Sequence, residues 1–291
     1  MSSNSASGSP IDELFARRRQ QGQMAFMPFV TAGDPTLDQT VAALHAFDEA
    51  GCDLFEIGVP YSDPIADGPA IQASYTRALD RGFRVAELME QLAALPQTMA
   101  PRVGMVSYSI VYRHTPERWC RTAKQSGLAG LIVPDLPATE ADELAAISRD
   151  AGLDLIQLVA PTTPRNRYAS IVANCRGFVY CVAVTGVTGE RERVADRLLD
   201  MLDELRDETD LPLAVGFGIS RPEHIETLRG RADGAIVGSA IVNRIADATD
   251  AQSLAKVTDY VRKMADACHG QSDALQTAGG ASRRLASGGR G

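Results

Sequence analysis

Nowhere in this chain of 291 residues do about eighteen apolar residues run together, so no stretch has the length of a membrane-spanning helix. The opening residues, MSSNSASGSP, lack the basic-then-apolar order of a secretory signal. Basic residues number 29 against 37 acidic ones, a net charge of −8, and no block of Lys or Arg reaches the length of a nucleic-acid or polybasic membrane patch. A small-molecule ligand is therefore the expectation. The five cysteines, Cys52, Cys120, Cys175, Cys181 and Cys268, are odd in number and widely spaced, with no CxxC or Cys/His metal spacing. They read as reduced core thiols of a cytoplasmic protein. Aromatic residues make up only 5%, and the one Trp, Trp119, reads as helix packing.

Apolar residues account for 45% of the chain, enough for a large core. Short apolar runs stand at 25–30, 53–59, 103–108, 130–136, 154–160, 177–184, 212–218 and 234–240, which gives eight candidate strands. Between them lie segments of helical period such as 37–51, 139–152 and 194–209, several ending at a glycine suited to a helix C-terminus. Strand and helix alternating eight times predict an α/β fold, a (β/α)8 TIM barrel. A doubly wound open sheet shares the alternation, but no GxGxxG follows an early strand. Residues 10–22 read as an extra N-terminal helix placed to plug the barrel floor. The expected organisation is a disordered N-terminus at 1–9, a single barrel domain over 10–269, and a disordered tail at 270–291, rich in Gly, Ser, Ala and Arg.

The stretch LFEIGVPYSDPIADGPAIQ, residues 54–72, puts a carboxylate near the end of the second strand and two more in a loop stiffened by Pro60, Pro64, Gly68 and Pro69. In such barrels the reactive groups come from the C-terminal ends of strands and the loops that follow. An inward Glu56 is partly desolvated, which raises its pKa toward values useful for general acid work. Asp67, eleven residues on, is held over the mouth in different surroundings, so the two acids can take different roles. An outward Glu56, and an Asp67 that only caps a turn, are the plainer alternatives. Asp63, in its Ser-Asp-Pro triplet, reads as turn stabilisation or a partner contact.

Glycines recur where a barrel binds phosphate. GFGIS (216–220) follows strand seven and GSAIV (238–242) follows strand eight, which makes Gly218, Gly238 and Ser239 candidate phosphate ligands. TGVTGERER (185–193), after strand six, has the composition of a lid, in which Gly189 could add an N–H and Thr188 could bond a loop carboxylate. Phe29 ends strand one, and Tyr108 and Tyr180 close strands three and six, placed to line a pocket for a flat aromatic ligand. His45, His114, His224 and His269 show no metal spacing and read as surface residues away from the mouth.

These motifs, from PFVTAGDP (28–35) through FEIGVPYSDPIADGPAIQ, IVPDLP (132–137), TGVTGERER, GFGIS and GSAIV, resemble the tryptophan synthase alpha chain family over nearly the whole barrel. The resemblance implies retro-aldol cleavage of indole-3-glycerol phosphate to indole and glyceraldehyde 3-phosphate, with no cofactor and no metal. It implies that Glu56 and Asp67 are the catalytic acids and that Phe29, Asp135, Tyr180 and Thr188 lie in or near the site. It further implies that Gly189, Gly218, Gly238 and Ser239 hold the phosphate. The implied partner is a tryptophan synthase beta chain in an α2β2 assembly, with Pro60, Asp63 and Pro64 facing it. An indole-glycerol phosphate synthase is the rival barrel enzyme, but it calls for a strand-end lysine, and none of the eight strands has one. A subunit that mainly activates its partner is the remaining alternative. Ile110 stands where the family commonly has Asn, which bears on the partner-facing loop.

Overall fold

The computed structural model describes residues 8–64, 67–182, 191–216, 218–248 and 250–270. Eight parallel strands, β1 (Ala25–Thr31), β2 (Phe55–Gly58), β3 (Arg102–Met105), β4 (Leu128–Ile132), β5 (Asp154–Val159), β6 (Val179–Val182), β7 (Leu213–Gly216) and β8 (Gly234–Val237), close into a barrel in sequence order. The closing contact pairs β1 with β8, from Ala25 opposite Gly234 to Pro28 opposite Val237. The expected (β/α)8 barrel is therefore the observed fold.

Side chains alternate across this sheet because a strand has a period of two. In β1, Ala25, Met27 and Phe29 join the inner cluster, whereas Phe26 and Val30 join the outer layer beneath the helices. Around β2 the same rule sends Leu54 inward and Phe55 and Ile57 outward. Glu56, between two outward residues, must face the barrel interior, and it is fully buried there.

The surrounding helices are α1 (Pro10–Gln20), α2 (Leu37–Glu49), α3 (Pro69–Asp80), α4 (Val85–Ala93), α5 (Tyr108–Arg113), α6 (Pro116–Gln125), α7 (Asp142–Asp150), α8 (Tyr168–Ala173), α9 (Arg191–Glu208), α10 (Pro222–Glu226), α11 (Ser239–Ala246) and α12 (Ala251–Cys268). Their starts follow ordinary capping chemistry: Ser9 forms a capping box with Asp12 ahead of Pro10, and Asp250 does the same with Ser253. In α1, Ile11, Leu14 and Phe15 share one face and enter the inner cluster, with the Phe15 and Phe178 rings 5.8 Å apart. The extra helix thus seals the barrel floor, burying apolar surface that the strand ends would otherwise expose.

The floor is also tied by charge. Asp53, just before β2, accepts hydrogen bonds from Arg18 Nε at 2.7 Å and from the Phe26 amide at 2.9 Å, and lies 2.8 Å from His269 Nε2. His269 is therefore not the free surface residue expected from the sequence, since its side chain is 9% exposed and packed against a buried carboxylate. His224 also departs from expectation: its Nδ1 accepts from the Ser220 amide at 3.3 Å, in the loop after β7 at the barrel mouth.

Apart from β1, which reaches Thr31, the strands are shorter than their apolar runs. The third run was expected to extend to Tyr108, but β3 stops at Met105 because Ser107 turns the chain and its hydroxyl accepts from the Ser109 amide to start α5. Likewise β8 ends at Val237, and Gly238 and Ser239 open α11. The segments 1–7 and 271–291, on which most of the expected terminal disorder falls, lie outside the described residues. No helix among the described residues is long and apolar enough to cross a membrane.

Candidate active site

Glu56 is carried by β2 near its C-terminal end, opposite Phe29 of β1 and Val103 of β3 in the register. Across the barrel, β6 presents Tyr180, whose hydroxyl donates to Glu56 Oε2 at 3.3 Å. Oε1 is buried and has no hydrogen-bond partner among the described residues. An unsatisfied carboxylate oxygen in such surroundings is costly when charged. The group responds by holding its proton: burial raises its pKa to about 8, opposed by the Tyr180 hydrogen bond and assisted by the negative charge of Asp67.

Asp67 sits in the loop after β2, one residue before Gly68, the N-terminal cap of α3. It is half-buried, and the Tyr61 hydroxyl lies 3.4 Å from its Oδ2. Burial raises its pKa to about 6, the Tyr61 contact works against the rise, and the Asp135 charge adds to it. The two acids therefore differ at neutral pH, one mainly protonated and the other mainly ionised. Tyr61, Tyr75 and Tyr180 are all pushed upward, first by burial and then by the nearby carboxylates, so their hydroxyls stay neutral donors.

Phe29 is buried in the inner cluster, and close approach of its ring explains Gly58 but not Gly238. At Gly58 a Cβ would collide with the Phe29 ring and with Tyr75 Oη at 2.7 Å, whereas at Gly238 the nearest Phe29 atom is at 3.7 Å. Gly216 makes the same allowance for Tyr180, whose Cε1 would lie 2.6 Å from an added Cβ. A cavity of about 400 Å3 opens beside these residues, lined by Tyr180, Gly218, Gly238 and Ser239 together with Ile71 and Ser220. Gly218 has φ +47, a conformation that glycine adopts without strain. Ser239 starts α11, so its own amide and that of Ala240 have no helical partner at the cavity wall, whereas the Ile241 and Val242 amides donate to the Gly238 carbonyl.

The structure brings Glu56, Tyr180, Phe29, Gly218, Gly238 and Ser239 to one mouth, with Asp67 on the adjoining loop. Asp135 lies after β4 and accepts from the Ser107 hydroxyl and the Tyr108 amide, each at 2.7 Å, so it caps α5 near the mouth. Tyr108 does not close β3 as the apolar run suggested; it opens α5, its ring packs on the outer cluster, and it lies 6.2 Å from the Tyr112 ring. Thr188 and Gly189, with the rest of the expected lid up to residue 190, fall outside the described residues. Sequence reasoning missed Tyr61 and Tyr75. Tyr61 stands six residues before Asp67 in the same loop, a spacing that gives no periodic signal. No group of three or more His, Cys, Asp or Glu side chains among the described residues could hold a metal ion.

An eight-stranded barrel with a buried, protonated acid, a second ionised acid and a glycine-lined cavity at one mouth is the architecture of a (β/α)8 enzyme built for acid–base chemistry. The family model that describes the tryptophan synthase alpha chain matches residues 15–269. A tryptophan synthase alpha chain from Rhodopirellula baltica is 49% identical over 277 residues, covering 92% of this chain and 99% of the relative. Another from Cyanothece sp. is 44% identical, covering 87% and 96%. The crystal structure of a ligand-free mutant form of tryptophan synthase from M. tuberculosis superposes with a TM-score of 0.81 at 30% identity, over 90% of this chain and 100% of that one. The chain belongs to the tryptophan synthase alpha chain family.

Proposed function

We propose that this protein cleaves indole-3-glycerol phosphate to indole and glyceraldehyde 3-phosphate, as the lyase subunit of tryptophan biosynthesis. Family membership gives the reaction. The observation that carries the assignment of roles is the inward, fully buried Glu56, bonded to Tyr180 at the cavity that Gly218, Gly238 and Ser239 line.

The reaction is an isomer-balanced retro-aldol step. Indole C3 gains a proton, the bond from C3 to the glycerol chain breaks, and the hydroxyl on the departing carbon loses its proton as the aldehyde forms. Glu56, protonated up to a pH of about 8, donates to C3, and the carboxylate so formed takes the hydroxyl proton. One group serves as acid and then base, and its proton is restored in the same turnover. Protonated C3 leaves positive charge on the ring nitrogen, and Asp67, ionised above a pH of about 6, accepts from that N–H and stabilises the charge. Phe29 and Tyr180 flank the flat ring, the amides around Gly218, Gly238 and Ser239, with Gly189 of the lid segment, hold the phosphate, and Thr188 of that segment bonds a loop carboxylate. Asp135 stays near the ring through its cap on α5, and Tyr108 borders the site from the same helix.

The partner is a tryptophan synthase beta chain in an α2β2 assembly, docked on the mouth side through the loop of Pro60, Asp63 and Pro64, and the complex works in the cytoplasm. The chain needs no cofactor of its own for this step. Indole release should be measured from the full chain with and without a beta chain. Glu56→Gln is expected to lower kcat by about 100-fold or more. A Glu56→Gln enzyme with nearly unchanged indole release refutes the assignment of the acid.

A further inference from the structure

The loop that carries Asp67 is long and prolyl-stiffened, yet its carboxylate must hold one position over the ring. Among the described residues, one side chain donates to the backbone of that loop. Gln72 Nε2 lies 3.0 Å from the Pro64 carbonyl and 2.8 Å from the Asp67 carbonyl, bracketing residues 65 and 66. Both partners are acceptors only, so the amide is oriented without ambiguity: its two N–H groups face the loop. Glu, the nearest isostere, has no donor to replace them, and Asn is one methylene too short to reach the same carbonyls.

The anchor behind Gln72 is rigid. Its own amide, like that of Ile71, donates to the Gly68 carbonyl at 3.0 Å in the first turn of α3. That helix is fastened to β1 by the Thr31 and Ser74 hydroxyls, 2.7 Å apart, and to the loop after β1 by Arg77, which grips buried Asp34 through Nε at 3.0 Å and Nη2 at 2.6 Å. A continuous path of short contacts thus runs from the barrel wall through α3 to the main chain of Asp67. The remaining side-chain contact to Asp67 is the Tyr61 hydroxyl at 3.4 Å, near the limit of a useful bond.

We propose that Gln72 is the positioning residue for Asp67, clamping the Pro64 and Asp67 carbonyls so that the carboxylate meets the indole N–H already in place. The inference rests on the role given to Asp67 above. Without the clamp the loop samples other positions, and only some turnovers find the carboxylate where the ring nitrogen develops charge. Binding of the phosphate end, on the far loops, is untouched.

Full-length Gln72→Met and Gln72→Glu, with Asp67→Asn alongside, test this by indole release across pH, inhibition by glycerol 3-phosphate and thermal midpoint. Gln72→Met is expected to lower kcat about ten- to a hundredfold. Its inhibition by glycerol 3-phosphate should stay within about twofold of wild type, because the phosphate loops are unaltered. The acid limb of kcat/KM should move to lower pH in Gln72→Met, as a loosened Asp67 gains water. In Gln72→Glu it should move to higher pH, because a second negative charge then stands beside Asp67. A role confined to stabilising α3 would lower the thermal midpoint and leave both limbs where they are. Wild-type kcat and an unmoved acid limb in both Gln72 variants, with Asp67→Asn crippled, overturn the proposal. Wild-type rates in Asp67→Asn overturn instead the assignment of Asp67 beneath it.

Discussion

The Tyr180 hydroxyl reaches across the barrel from β6 to donate to Glu56 Oε2 on β2, 3.3 Å away, and leaves Oε1 with no hydrogen-bond partner among the described residues. Burial raises the acid, and this one donor works against the rise. Removing the donor in Tyr180→Phe takes away the interaction that lowers the Glu56 pKa, so the value rises further above 8. The basic limb of kcat/KM, where Glu56 loses its proton, is expected to move to higher pH in that variant, with a severalfold loss of kcat at neutral pH from the lost contact. A pH-rate series on both enzymes checks the direction; a basic limb moving downward contradicts the arrangement.

In the wild-type enzyme the free chain should show a bell-shaped kcat/KM, rising as Asp67 ionises near pH 6 and falling as Glu56 deprotonates near pH 8. The two acids feel each other, because the Asp67 charge raises Glu56, so the limbs belong to the pair. Asp67→Asn removes that charge. The acid limb should vanish, the basic limb should move to lower pH, and the residual rate should be far below wild type. An acid limb that survives in Asp67→Asn would assign it to another group.

Glu56 should also weaken the fold it serves. Its carboxyl titrates at an ordinary value of 4.5 when unfolded and at about 8 when folded, so between these pH values the native state holds a proton that the unfolded state has lost. Stability therefore falls as pH rises through that window and stays reduced above it. Glu56→Gln has no such penalty. Its stability relative to wild type should grow from pH 5 to pH 8 and level off beyond, reaching a few kcal/mol, while indole release is lost. Urea melts of both proteins at several pH values check this, and a difference that stays flat across the window would mean that Glu56 is not proton-bound in the native state.

Much of this architecture was legible in the sequence because it depends on local periodicity. Eight apolar runs became eight strands, and alternation set Glu56 on the face opposite Phe55 and Ile57, but the sequence left open which of the two buried faces was the barrel interior. The strand ends were less legible. Val106 continues the apolar run of β3, but the turn at Ser107 depends on Asp135, 28 residues away, which bonds the Ser107 hydroxyl. Tyr108 consequently opened a helix where the run had put it at a strand end. Longer-range pairings left no trace at all: Asp53 and His269 meet across 216 residues, and nothing near either one announces the other. Gln72 was hidden for a different reason, since a polar residue in the first turn of a helix ordinarily faces water.

The Asp53 cluster at the floor gives a test that separates stability from catalysis. Asp53 is 3% exposed and joins three elements: it accepts from the Arg18 guanidinium of α1, from the Phe26 amide of β1, and contacts His269 at the end of α12. Its salt bridge to Arg18 Nη2 is 2.6 Å long, with the arginine side chain 17% exposed. Removing Asp53 leaves the Phe26 amide without its acceptor and the Arg18 charge uncompensated, held only by Gln21 and Gln23, which costs up to about 3–5 kcal/mol. Asp53→Ala should therefore lower the urea midpoint strongly. The strand ends that bear Glu56 and Tyr180 lie at the opposite rim, so kcat of the folded fraction should stay near wild type. If kcat falls in proportion to the lost stability even where the chain is fully folded, the floor cluster is coupled to the mouth, and the α1 plug takes part in shaping the site as well as sealing the barrel.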